Sequence, residues 1–370
     1  MYDVIIIGAG SIGSAASYFL AKEGKNVLCI DAFDPPHTEG SHHGDTRIIR
    51  YAYGEGADYV ALALRAGELW RELEVEANEQ LLLQTGVLNM ANRDALFLQN
   101  VQASAQQHGI SVEALSAQDV AARFSGITLP DEMRALYEAD SGVLRVEACV
   151  AAYRTLAEKA GATFHVNEPV IHIETGDVQR ITTNKCTYEA KRLIVCAGSY
   201  SKQLLDGAHI SLPLSPTRKT FAWFHAPTLY DAATFPAFVL ERENYCYYGF
   251  PSIDGSGYKV GRHDGGEPID PTQPRAPFND EDLIELEYFI TTYMPEVGEL
   301  IVGKECMYNM TPDEDFIIDA LPQNDKVVIA TGFSGHGFKF SSAIGELLMH
   351  MTTNQPIVYN LARFSLQRFR

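Results

Sequence analysis

Basic residues are scarce in this 370-residue chain: 29 Lys and Arg stand against 48 Asp and Glu, a formal net charge of −19 at pH 7. A surface of that sign repels phosphate backbones and anionic lipid, which argues against nucleic acid and membrane surfaces as partners; an anionic ligand must be met by local cations. Paired cysteines are lacking too. Cys29, Cys149, Cys186, Cys196, Cys246 and Cys306 lie far apart with no C-x-x-C, so neither a zinc site nor a secreted disulfide framework is indicated, and a reducing, cytoplasmic setting is expected. Long apolar runs are equally rare. The uncharged stretch Val4 to Ala21 reaches bilayer length, yet it carries three glycines and three serines. With no basic segment before it and no cleavage pattern after it, it reads as neither membrane helix nor signal peptide. The closing Arg-Phe-Arg is no peroxisomal address. Low-complexity tracts and internal repeats are absent, and with 46% apolar and 21% charged residues the chain is expected to fold, as about two domains.

What is present begins with a strand, a glycine turn, a helix and a strand. Val4-Ile5-Ile6-Ile7 is a β-branched run suited to a parallel strand buried on both faces; Gly8-Ala9-Gly10-Ser11-Ile12-Gly13 follows, then helical spacing from Ser14 to Lys22 and a second strand from Asn26 to Ile30. In this pattern the first glycine permits the tight turn, the second lets the backbone approach a pyrophosphate, and the third allows close helix–strand packing. Asp31 stands at the end of the second strand, suited to ribose hydroxyls. Arg192 to Gly198 and Lys326 to Gly332 repeat the strand-then-glycine pattern, the latter leading into a helix over Ser341 to Met351. A dinucleotide-binding unit assembled from the beginning, middle and end of the chain is therefore expected. Phe221 to Phe224, Tyr245 to Phe250 and Tyr258 to His263 predict strands of a mixed or antiparallel sheet, and Asp280 to Tyr293 an amphipathic helix.

Three clusters could carry chemistry. Gly40 to Arg50 holds His42, His43, Arg47 and Arg50; if Asp45 or Thr46 caps a helix, the two arginines share a face and could clamp a carboxylate, the alternative being salt bridges with Asp45 and Glu55. The adjacent histidines have no third ligand in sequence, so no metal site is expected. Gly332 to Phe340 presents glycine amides and Lys339 ahead of a helix, suited to negative charge on a reduced cofactor or a substrate; a solvated lysine is the alternative. Lys259 and His263 share a face if their segment is a strand. Cys306 on its own reads as a small buried hydrophobe.

The runs Gly40 to Gly56, Tyr247 to Pro251, Cys306 to Tyr308, Asp313 to Asp319 and Gly332 to Phe340, with Lys259 and His263, together resemble the family of monomeric sarcosine oxidase and N-methyltryptophan oxidase, flavoprotein amine oxidases, over essentially the whole chain. The resemblance implies an α/β fold: a Rossmann-like FAD-binding domain (residues 1–85, 145–215 and 305–370) on a parallel sheet, and an α+β substrate domain (86–144 and 216–304) on a mixed sheet. It implies FAD joined through a thioether from Cys306 to the flavin 8α carbon, with Arg47 and His43 as nearby cations. FAD contacts are expected from Gly8, Gly10, Ser11, Ile12, Gly13, Asp31, Ser41, His42, His43, Thr46, Arg47, Gly335 and Gly337. By the same resemblance Arg50 and Lys339 bind the substrate carboxylate, Tyr248 and His263 line the pocket, and Lys259 promotes reaction with O2. The motifs Arg218 to Trp223 and Thr311 to Pro322 look more like N-methyltryptophan oxidase. The implied partners are an N-methyl amino acid and O2, in a monomer; sarcosine oxidation and a flavin-dependent amino acid dehydrogenase are the alternatives.

Overall fold

The structure is a computed structural model and describes residues 1–369. The opening β-branched run forms β1 (Tyr2–Ile7), followed by α1 (Ser11–Lys22) and β2 (Val27–Ile30), which pairs parallel to β1. Two glycines fix this unit. Gly8 takes φ +98°, and a Cβ there would lie 2.5 Å from the Cys196 carbonyl oxygen; a Cβ on Gly13 would lie 1.8 Å from the Gly8 carbonyl oxygen. Only glycine lets α1 lie this close to the strand ends.

The strand Thr187–Val195 runs parallel on the other side of β1, and Asn324–Thr331 runs parallel beyond it. The beginning, middle and end of the chain thus meet in one eight-stranded sheet, as the repeated strand-then-glycine pattern implies. The helices Val146–Lys159 and Ser341–Thr353 pack on α1 over one face of it. The buried side chains Ala15, Ala16, Ile344, Leu347 and Leu348 fill that layer.

A nine-stranded sheet forms the second layer. It is mixed because Val87–Asn92 runs parallel to Ala237–Arg242, whereas Tyr245–Phe250, Tyr258–Arg262, Ser215–Phe224 and Leu300–Met310 succeed one another antiparallel. The helix Asp280–Tyr293 covers it, opened by an Asn279 capping box with Asp282 and anchored by Leu286, Phe289, Ile290 and Tyr293. Leu300–Met310 hydrogen-bonds along Ser215–Phe224, so Cys306 stands in this second sheet, whereas the sequence division at residue 305 grouped it with the nucleotide-binding part.

A helix carrying Arg47 and Arg50 does not form. Thr46–Ile49 is β3, antiparallel to Gly142–Arg145 in a three-stranded sheet. Its Thr and Ile residues are β-branched, and the ladder with Gly142–Arg145 outweighs the capping signal of Asp45. Among the described residues no helix is long and apolar enough to cross a membrane.

Candidate active site

Two cavities open between the sheets. The first, of about 800 Å³, runs over the glycine turn; Gly8, Gly10, Ser11, Ile12, Asp31, Ser41, His42, Arg47, Gly335 and Gly337 line it. α1 begins here without an acidic residue in its first turn and without a capping side chain, which leaves its amides for an anion. The Asp31 carboxylate accepts from the Ala9 amide (2.7 Å) and the Phe33 amide (2.9 Å), bracing the turn from below while facing the cavity. Buried polar atoms along the wall, His42 Nε2, Ser199 Oγ and Asn309 Oδ1, have no hydrogen-bond partner among the described residues. A buried polar atom is costly unless paired, so this cradle fits a ligand rich in donors and acceptors and carrying a pyrophosphate, as FAD is. Gly13 lies beneath, where it serves packing.

The second cavity, of about 1260 Å³, is lined by Arg47, Arg50, Tyr248, His263, Gly335 and Lys339 together with Phe97, Val239 and Phe250. Arg47, Tyr308, Gly335 and Phe338 belong to both cavities, so the two join end to end. Arg47 is pinned at this junction: Nη2 donates to the Ser41 carbonyl (2.9 Å) and Nη1 to the Thr46 carbonyl (2.8 Å).

Arg50 is 3% exposed and lies over the Tyr53 ring. Its Nη2 pairs with Glu55, while Nη1 is buried without a partner among the described residues. Of the two readings of Arg50, the salt bridge forms with Glu55 through one nitrogen, and the other nitrogen is left unspent in a residue that lines the cavity. Burial would raise the Glu55 carboxyl, but Arg50, His336 and Lys339 bring it down to about 2. Lys339 donates to the His336 carbonyl (2.9 Å) and to Tyr53 Oη (3.2 Å), and Tyr53 Oη also meets His336 Nδ1 at 2.8 Å. Burial and the Arg50 charge pull Lys339 down to about 7, against Glu55. Lys339 is buried, contrary to the solvated alternative.

Lys259 lines neither cavity. It is 1% exposed and donates to the Gly44 carbonyl, the Thr46 carbonyl (3.2 Å) and Thr46 Oγ1 (3.1 Å), inside a box of Phe221, Phe250 and Trp223 rings. Burial and Arg47 push its pKa well down; the ammonium donates to all three oxygens, and the neutral amine donates to the two carbonyls and accepts from the Thr46 hydroxyl, so both forms are satisfied here. Thr46 is thus spent on Lys259. Cys306 is buried among Phe221, Trp223 and Tyr308. His43 is no cation: burial, then Arg47, brings it down to about 3, so the positive charges acting on Cys306 are Arg47, Lys259 and Lys219. His263 is likewise neutral, brought to about 4 by burial and Lys219.

Glu55, Tyr53, His336, Tyr308 and Lys219 were not singled out as site residues by the sequence. All five lie inside the motifs Gly40 to Gly56, Arg218 to Trp223, Cys306 to Tyr308 and Gly332 to Phe340, but only the fold joins Tyr53 to Lys339 and sets Lys219 across from Cys306. No group of three metal-ligating side chains occurs among the described residues.

The family model described as FAD dependent oxidoreductase matches residues 3–351. The chain is 46% identical to the monomeric sarcosine oxidase of Bacillus sp. (strain NS-129), over 99% of this chain and 97% of the relative. It is 43% identical to the N-methyl-L-tryptophan oxidase of Yersinia pestis (strain Pestoides F), over the full length of both. In fold it superposes on NikD, an amino acid oxidase, with TM-score 0.86 at 23% identity, covering 98% of this chain and 97% of that one. The glycine cradle, the joined cavities and these full-length relatives agree: the chain belongs to the family of FAD-dependent oxidoreductases.

Proposed function

We propose that this protein oxidises N-methyl-L-amino acids with a large side chain, N-methyl-L-tryptophan foremost: N-methyl-L-tryptophan, O2 and H2O give L-tryptophan, formaldehyde and H2O2. The observation that carries the reading is the pairing of an unspent, buried Arg50 Nη1 with Lys339 on one wall of the 1260 Å³ cavity. A carboxylate on Arg50 Nη1 and Lys339 gains charge-assisted hydrogen bonds and fixes the amine end relative to the junction at Arg47 and Tyr308. Phe97, Val239, Tyr248 and Phe250 give the side chain an apolar wall. N-methylglycine would leave most of that space to water; the 46% identical relative keeps it as the second reading.

FAD, held by the glycine turn, Asp31, His42 and Ser41, would supply the two-electron acceptor and hand the electrons to O2. Arg47, fixed at the junction, offers positive charge where a reduced cofactor is anionic. Lys259, held in place by Gly44 and Thr46, would in its protonated form stabilise negative charge developing on oxygen. Cys306 would tether the flavin as a thioether at the 8α carbon. The first sheet serves as the FAD-binding part and the second as the substrate part of a monomer, and the six free cysteines suit a reducing cytoplasm.

Two measurements test this. Acid-denatured protein is filtered, and flavin absorbance is expected in the pellet and lost from it in Cys306→Ala; flavin only in the filtrate refutes the tether. Peroxide formation is then compared across substrates, with kcat/KM expected to be higher for N-methyl-L-tryptophan than for sarcosine. The reverse order assigns the second reading, and no peroxide from either refutes both.

A further inference from the structure

Lys219 is a buried charge that the proposed reaction leaves unused. It lies mid-strand in Ser215–Phe224, 4% exposed, directly across the antiparallel ladder from Cys306. Residues paired in this way have Cα atoms about 4.5–5.5 Å apart and present their side chains on one face. Lys219 Nζ donates to the carbonyls of His263 (2.6 Å), Asp264 (2.9 Å) and Gly265, and stands 5.2 Å from the centre of the Tyr308 ring, which faces both cavities. No carboxylate pairs with it among the described residues; the Asp264 side chain is taken by Arg262 and by the Cys246 amide. A buried ammonium bonded to carbonyls alone has no direct ion-pair partner; Asp264 and Glu314 act on it without pairing, and the Cys306 thiol is a further neighbour able to become an anion.

The groups acting on that thiol are Arg47 from β3, Lys259 from Tyr258–Arg262, Lys219, and one acid, Glu305; the phenols of Tyr248 and Tyr308 also interact with it. Burial pushes the thiol up and the three cations oppose it. Burial likewise brings Lys219 down to about 8, with Asp264, Cys306 and Glu314 opposing and Arg262 reinforcing the shift. Formation of a thiolate would therefore keep Lys219 charged, and a charged Lys219 would favour the thiolate.

We propose that Lys219 is a positioning residue for covalent attachment of the flavin, its charge holding Cys306 as the thiolate while its hydrogen bonds hold the turn His263–Gly265 against the same sheet. This rests on the tether proposed above. In that step Cys306 releases its thiol proton to solvent, its sulfur forms one bond to the 8α carbon, and that carbon loses a proton; the two electrons left on the ring pass to O2, which becomes H2O2.

The test follows attachment in the full-length chain, produced without flavin and mixed with FAD, from about pH 6 to about pH 10, by in-gel fluorescence under denaturing conditions and by intact mass. Lys219→Gln, which keeps a donor and removes the charge, is expected to slow attachment about tenfold at neutral pH and to raise its pH midpoint by about one unit. Lys219→Arg keeps donors and charge and is expected to retain the wild-type midpoint, which keeps the test decisive should the Gln variant fail to fold. An unchanged rate and midpoint in Lys219→Gln, equal slowing at every pH, or a raised midpoint in Lys219→Arg overturns the proposal. Wild-type protein that binds FAD without a covalent bond overturns the tether itself, and this proposal with it.

Discussion

At the scale of single residues the substrate wall is a problem in charge. Buried Arg50 and Lys339 and the more exposed Glu55 set two potential cations against one carboxylate, and an incoming carboxylate would balance the set. Arg50→Ala removes Nη1 and also leaves Glu55 without its partner, so it is expected to weaken a simple carboxylate inhibitor by about 10- to 100-fold, the 1.5–3 kcal/mol of a charged hydrogen bond. Titration of the flavin spectrum with the inhibitor measures this; unchanged affinity removes Arg50 from the site. Lys339 adds a pH dependence whose sign is fixed. Its pKa in the folded protein is brought down to about 7, so its charge is present below that pH and lost above it. A bound carboxylate favours the charged form, so inhibitor affinity should fall as pH rises through 7, and the fall should vanish in Lys339→Met. An affinity that rises with pH contradicts the assignment. The same depressed pKa means that the unfolded chain binds more protons between pH 7 and the ordinary lysine range, so this group makes stability rise with pH across that window.

At the scale of elements, legibility followed locality. The βαβ opening, the later strands ending in glycine and the helix Asp280–Tyr293 each carry their own signal in consecutive residues, through β-branched runs, glycine turns and a capping box. Arg47 to Arg50 failed because the outcome was set by a partner nearly a hundred residues away: the Gly142–Arg145 ladder turns the segment into β3. Lys259 was expected to promote reaction with O2; the Gly44 and Thr46 oxygens that surround its nitrogen are brought there by chain segments far apart in sequence, which no local pattern announces. His43 loses its charge for the same kind of reason, since burial is a tertiary property. Gly13 illustrates the legible case and gives a prediction. A Cβ at this position would lie 1.8 Å from the Gly8 carbonyl oxygen, so α1 would have to move off the strand end. Gly13→Ala is expected to lower bound FAD and thermal stability together, read from the flavin-to-protein absorbance ratio and a melting curve. Full FAD content at an unchanged melting temperature would show that the helix accommodates the methyl group.

At the scale of the whole molecule the net charge of −19 opposes the local cations of the site. An N-methyl amino acid is a zwitterion near neutral pH and carries no net charge to be steered. Once the amine loses its proton the substrate becomes an anion, and this neutral amine is the form able to give up electrons. The chemically competent form is therefore the one that the protein repels at long range, while Arg47 and Arg50, which keep their charge where Lys339 has lost its own, attract it only after it reaches the cavity. Screening acts mainly on the long-range part, because the Debye length is about 10 Å at 0.1 M salt and buried charges are screened much less. We therefore expect kcat/KM for the reductive step to be nearly flat in salt at neutral pH. At a pH above the amine's own pKa it should rise, about two- to threefold between low and moderate ionic strength, a modest steering effect. Stopped-flow reduction of the flavin at low substrate concentration measures this directly. A rate that falls with added salt at high pH would mean that the field of the two arginines reaches beyond the cavity mouth and outweighs the 19 excess negative charges at the distance where encounter is decided.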